Sequence, residues 1–133
     1  MDKSHPLTTP MVVRSLEVEK DPFRPRKQDE ETLGPEVPYL SAIGALMYLA
    51  NKTRPDIAFA VNLLARFSSD STKRYWDGIK HIFRYLRGTI DLGLFFPNNS
   101  RSRLVGYADA GYMSDPHFGR SQTELLAIHE ASR

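Results

Sequence analysis

Apolar residues recur at helical spacing three times between Val37 and Thr89, and two short strand-like runs follow. In "VPYLSAIGALMYLANKTRPD", Tyr39, Ile43, Leu46, Met47 and Ala50 fall three or four residues apart and share one face of a helix. Pro38 suits the first turn, where its missing N–H is no loss. Arg54-Pro55 ends the pattern, because proline disfavours helix in the residue before it. A second helix is predicted over "PDIAFAVNLLARFSS", with Ile57, Val61, Leu64 and Ala65 in period and Asp56 favourable in its first turn. The third, "STKRYWDGIKHIFRYLRGT", is the best patterned. Tyr75, Trp76, Ile79, Ile82, Phe83 and Leu86 occupy one sector of it, and Gly88 is a natural stop. Core packing is the plain reading of all three apolar faces.

Beyond Gly88, "LGLFFP" and "RLVGYADAGY" read as strands, and the turn signal "PNNSRS" between them predicts a β-hairpin. The final "TELLAIHEAS" places Leu125, Leu126, Ile128 and Ala131 at roughly helical spacing, with Ser121 or Thr123 available as N-cap, so a C-terminal helix is expected. Ahead of Val37, "SHPLTTP" and "EKDPFRPRKQDEETLGPE" mix prolines and charge without periodicity. Only "MVVRSLEV" suggests a short strand there. The expected fold class is α+β: a small bundle of three helices, then a β-hairpin and a C-terminal helix, behind an irregular N-terminal tail. The divisions fall at 1–36 for a disordered or extended tail, 37–91 for the helices and 92–133 for the remainder.

Composition narrows the function. With 133 residues, 41% of them hydrophobic and 26% charged, the chain suits one small domain with a tail. It has no cysteine, which excludes disulfides and thiolate metal sites. The first thirty residues hold no signal-like apolar stretch, and no run approaches membrane-spanning length. The expectation is an intracellular protein without a membrane partner, cytoplasmic or nuclear, with an organelle left open.

The formal net charge of +2 is unevenly spread. Residues 1–36 carry six basic and eight acidic side chains, whereas residues 52–103 carry ten basic and four acidic ones. Lys73, Lys80, Arg84 and Arg87 form a stripe on the third helix, interrupted only by Asp77. A solvated face is the commoner meaning of such a stripe. Four cations in line would also grip successive phosphates of RNA or DNA, with an affinity that falls as salt rises.

Two acids stand out. Asp109 lies at the centre of a predicted strand, on the face of Val105, Tyr107 and Gly111. A lone aspartate there costs stability unless it is hydrogen-bonded or faces a site. Glu124 opens the expected C-terminal helix, where the helix dipole or a capping role explains a carboxylate equally well. As a pair they would suit Mg²⁺, but a two-metal phosphodiester hydrolase needs further acids. Neither Asp115 nor Glu130 is an obvious third ligand. His5, His81, His117 and His129 have no zinc-like spacing, and "GTIDLG" and "GYADAG" lack the context of a phosphate loop.

At these residues a resemblance emerges. "VPYLSAIGALMYLANKTRPDIAFAVNLLARFSS", "GIKHIFRYLRGTIDLGLFF" and "LVGYADAGYMSDPHFGRSQT" closely resemble the Pol polyprotein of copia-type LTR retrotransposons, especially those of plants. The likeness begins near "PLTTPM" and covers most of the chain. It implies that the helices are a thumb or connection segment after the reverse transcriptase palm. By the same likeness, the "YADA" strand opens a ribonuclease H domain, here truncated within 92–133. The resemblance makes Asp109 the first metal-binding aspartate of that site and Glu124 the glutamate of its first helix.

The departures from the family are pronounced. "GRSQT" passes straight into "ELLAIHEASR", without the two strands the family places between, and the chain stops before the remaining acids. No "YVDD"-like pair of aspartates occurs. The expectation is therefore a non-catalytic remnant, binding nucleic acid at most weakly through Lys73, Lys80, Arg84 and Arg87, with Asp109 and Glu124 as relics. No cofactor is expected unless ribonuclease H activity retains Mg²⁺. Two alternatives stand beside it. One is a residual Mg²⁺-dependent ribonuclease H completed by another chain. The other is a recruited interaction module that buries the Trp76–Phe83–Leu86 face against itself or a partner protein.

Overall fold

Pro38 and Pro55 set where the helices begin. In the computed structural model, residues 5–15, 17–95, 98, 102–111, 117–118 and 122–131 are described, the two strands near the C-terminal end by their backbone. Helix α1 runs Tyr39–Lys52 with Pro38 at its N-cap, and closes with the Thr53 N–H donating to the Leu49 carbonyl at 3.0 Å. Pro55–Ile57 forms one 3-10 turn that leads into α2, Ala58–Ala65. Helix α3 runs Lys73–Gly88, and Thr89 is its C-cap.

The chain divides into two units, Met1–Leu94 and Phe95–Arg133. In the first, Tyr39, Ile43, Leu46 and Ala50 of α1, Ala60, Val61, Leu63 and Leu64 of α2, and Tyr75, Ile79, Ile82 and Tyr85 of α3 form one buried cluster. Each large apolar side chain in it contributes about 1.5–3 kcal/mol by leaving water. The Tyr39 hydroxyl donates to the Leu64 carbonyl at 2.8 Å, joining α1 to α2, and burial pushes its pKa well up. Phe67 stacks on Tyr75 with ring centroids 4.1 Å apart. Met47, expected on the buried face of α1, is 38% exposed.

The N-terminal stretch is irregular apart from a 3-10 turn at Val18–Lys20, and the short strand expected over 11–18 is absent among its described residues. Phe23 enters the core, and Leu7, Met11 and Leu33 pack against it. Asp21 is buried; it accepts the Phe23 N–H at 3.0 Å and pairs with Arg14 at 2.6 Å. The Leu33 N–H donates to the Ser71 carbonyl at 2.8 Å, beside a Thr32–Thr72 bridge.

The expected α+β class is overturned. The Met1–Leu94 unit is helical, with no extended strand among its described residues, and the run expected to open the hairpin forms no strand over its described residues 92–95. Local geometry explains this: the Leu92 N–H donates to Thr89 and the Leu94 N–H to Thr53, so this run is tied to helix ends rather than to a ladder. The C-terminal helix is absent too. In the second unit, β1 (Ser102–Gly111) pairs antiparallel with β2 (Gln122–Ala131), which holds the segment expected to be helical. A ten-residue helix is marginal in water without a packed face. The observed register sets Val105 opposite Ile128, Gly106 opposite Ala127 and Tyr107 opposite Leu126, so apolar or small residues meet along the ladder. No helix among the described residues is long and apolar enough to cross a membrane.

Candidate nucleic-acid interface

Helix α3 presents its core residues to α1 and α2 and turns its charged residues toward the N-terminal stretch. A groove of about 1000 Å³ lies between them, lined among others by Phe23, Glu30, Thr72, Lys73, Lys80 and Arg84. Three of the four cations singled out from the sequence therefore border one groove. Lys73 is exposed. Lys80 is half-buried and pairs with Asp77 at 2.6 Å. Arg84 is half-buried, and its Nε donates to the His5 carbonyl at 2.8 Å. Arg87, exposed in the last turn, is not among the lining residues.

The N-terminal stretch runs beside the second half of this stripe. The Leu7 N–H donates to the Arg84 carbonyl at 3.3 Å, and His81 Nε2 contacts the Thr9 carbonyl at 2.9 Å. A Cβ at Gly88 would lie 2.9 Å from Pro6 Cβ and 3.0 Å from the Leu7 carbonyl oxygen, so only glycine allows this approach.

Two further polar networks escaped the sequence. In the first, Arg74 grips Glu30 through Nε at 3.1 Å and Nη2 at 2.9 Å, and its Nη1 donates to the carbonyls of Pro22 and Arg24. Arg24 Nη2 reaches Glu30 at 3.0 Å, and the Tyr75 hydroxyl donates to the Arg24 carbonyl at 2.6 Å. The Arg74 hydrogen bonds hold Glu30 well below its ordinary 4.5, at about 2. In the second, Arg54 forks onto Asp56 at 3.0 and 2.8 Å and reaches the Thr89 carbonyl at 2.9 Å and its hydroxyl at 2.6 Å. The Tyr85 hydroxyl donates to Asp56 at 2.6 Å. Arg54 lowers the Asp56 pKa by this bonding, and Asp56 raises those of Arg54 and Tyr85. All these shifts move away from neutrality, so the groups hold fixed charges or intact hydroxyls at pH 7. The "RPD" of the first loop and the "YLRGT" of α3 are thus two halves of one clamp. The only sequence signal for it was an arginine and an aspartate flanking a proline.

The two acids expected in a metal site sit opposite each other, since Asp109 and Glu124 are register partners on β1 and β2. Their side chains lie outside the described residues, as do Asp115 and Glu130 side chains. Glu124 stands on a strand rather than at the start of a helix. Among the described residues, no group of three or more His, Asp or Glu is placed to hold a metal ion. Trp76, Phe83 and Leu86, the face expected to be offered to a partner, are partly buried against the core.

The chain is 46% identical over 90 residues to a secreted RxLR effector protein of Plasmopara viticola, spanning 68% of this chain and 63% of that one. It is 39% identical over 126 residues to the retrovirus-related Pol polyprotein from transposon TNT 1-94 of Nicotiana tabacum, spanning 95% of this chain and 9% of that polyprotein. An uncharacterized mitochondrial protein of Arabidopsis thaliana shares 40% identity over 82 residues, which are 62% of this chain and 73% of that protein. No family model and no solved structure matches the chain. The match to the TNT 1-94 polyprotein runs over nearly the whole chain, and two further copia-type Pol polyproteins match over more than half of it at 39–40% identity: the chain belongs to the Pol polyprotein family of copia-type LTR retrotransposons.

Proposed function

We propose that the chain is a non-catalytic segment of the retrotransposon reverse transcriptase and ribonuclease H polyprotein that contacts nucleic acid through α3. The observation that carries this reading is the alignment of Lys73, Lys80 and Arg84 along one groove, with Arg87 continuing the stripe. The contacts would be to phosphates, which position a strand without reading its sequence. Lys80 shares its charge with Asp77, so affinity is modest. The family's activities are RNA-directed DNA polymerase and ribonuclease H. The proposed segment performs neither, having no adjacent aspartate pair and only Asp109 and Glu124 as matching ribonuclease H acids.

Fluorescence anisotropy of a labelled RNA–DNA hybrid against salt tests the binding. The logarithm of affinity is expected to fall linearly with that of salt, and the slope to shrink by about 1 for each of Lys73→Ala and Arg87→Ala. Binding that ignores salt, or that both variants leave intact, would overturn it. Incubating the same hybrid with Mg²⁺ tests the other half: cleavage that disappears in Asp109→Asn would establish a working ribonuclease H instead.

A further inference from the structure

Helix α3 opens in an unusual way. Thr72 at its N-cap has the extended backbone with which a threonine hydroxyl normally accepts a first-turn N–H, yet it makes no such bond. The residue is 3% exposed, it lines the groove, and its Oγ1 has no hydrogen-bond partner. The first turn holds no acid and carries Lys73 and Arg74. Its leading amides have no helical carbonyl to accept them, and the positive end of the helix dipole lies there.

The nearby charges sort themselves. Glu30 is taken by Arg74 and Arg24, and Asp77 by Lys80. Glu31 is an exposed acid on the lining. Lys73 is exposed and has no ion-pair partner among the described residues. An uncapped sixteen-residue helix, a buried hydroxyl without a partner and an uncommitted lysine thus meet at one end of the groove.

We infer that this end of the groove binds a phosphate monoester group, held by the first-turn amides of α3, the Thr72 hydroxyl and the Lys73 ammonium. A monoester brings two negative charges and three terminal oxygens, which match a helix N-terminus, one hydroxyl and one ammonium. Such a group occurs on a free nucleotide or on the end of a nucleic-acid strand. The inference does not rest on the α3 stripe gripping a strand, because a phosphate alone occupies the site.

The test is a titration of the ¹⁵N-labelled full chain with inorganic phosphate at constant ionic strength, read amide by amide. Saturable shifts are expected at Lys73, Arg74 and Tyr75. Affinity is expected to fall about tenfold in Thr72→Val and to recover in Thr72→Ser, as for loss of one hydrogen bond to a charged group. Lys73→Ala, at an exposed position, is expected to weaken binding without altering the fold. Shifts scattered over the basic surface, or a Thr72→Val chain that binds as well as the parent, would overturn the site. Adenosine monophosphate and an oligonucleotide with a 5′-phosphate or a 5′-hydroxyl then identify the source. Perturbation of the same amides by the nucleotide, or by only the phosphorylated strand, supports the site; neither doing so overturns it.

Discussion

Asp56 receives three donors, two from Arg54 and one from Tyr85, and the whole set ends on Thr89. Tyr85→Phe removes only the hydroxyl and is expected to cost about 1 kcal/mol in urea unfolding. Arg54→Lys cannot reproduce the fork and is expected to cost about 2–3 kcal/mol, despite keeping the charge. Glu30 gives a pH signature. Its pKa in the fold, about 2, lies below its ordinary 4.5, so its stabilisation is complete above about pH 4.5 and is lost as pH falls toward 2. Urea midpoints measured between pH 5 and pH 2 are expected to drop less steeply in Glu30→Gln than in the parent chain. None of these pairings was legible in the sequence. Periodicity gives the direction in which a residue leaves its helix, not what waits there, and Arg74 meets Glu30 across 44 positions.

Helices were the legible elements, because each carries a face the sequence states locally. The α3 face was read slightly rotated: Tyr85 is buried, while Trp76 and Phe83 are only partly so. Tyr85 was overlooked because its value depends on Asp56, a residue on another element. The strand at Gln122–Ala131 was misread because its leucines and isoleucine fit either period, and only the partner strand decides between them. The amphipathic core of α3 predicts a sharp contrast. Ile79→Ala, at a fully buried position, is expected to cost about 2–5 kcal/mol, and Lys73→Ala to stay within about 0.5 kcal/mol. Gly88→Ala would press on Pro6 and Leu7. The expected outcome is faster hydrogen exchange at the Leu7 amide, with the core amides of α3 unchanged.

At the scale of the molecule, the division after Leu94 separates a helical unit from a two-stranded one. A chain of residues 1–94 is expected to keep the helical circular dichroism and urea midpoint of the parent, since its core residues all lie within that span. The links that close this unit are distant in sequence: Arg54 to Thr89 spans 35 positions, Arg74 to Glu30 spans 44 and Tyr75 to Arg24 spans 51. Each involves α3 or its cap, so an α1–α2 pair, joined by the Tyr39–Leu64 hydrogen bond, still lacks these three links until α3 arrives. The loop-closure entropy of these three links is therefore spent late and together, which makes folding slower than helical content alone suggests. Stopped-flow refolding of the 1–94 chain should give one exponential phase, with the Arg54→Lys change appearing mainly as faster unfolding.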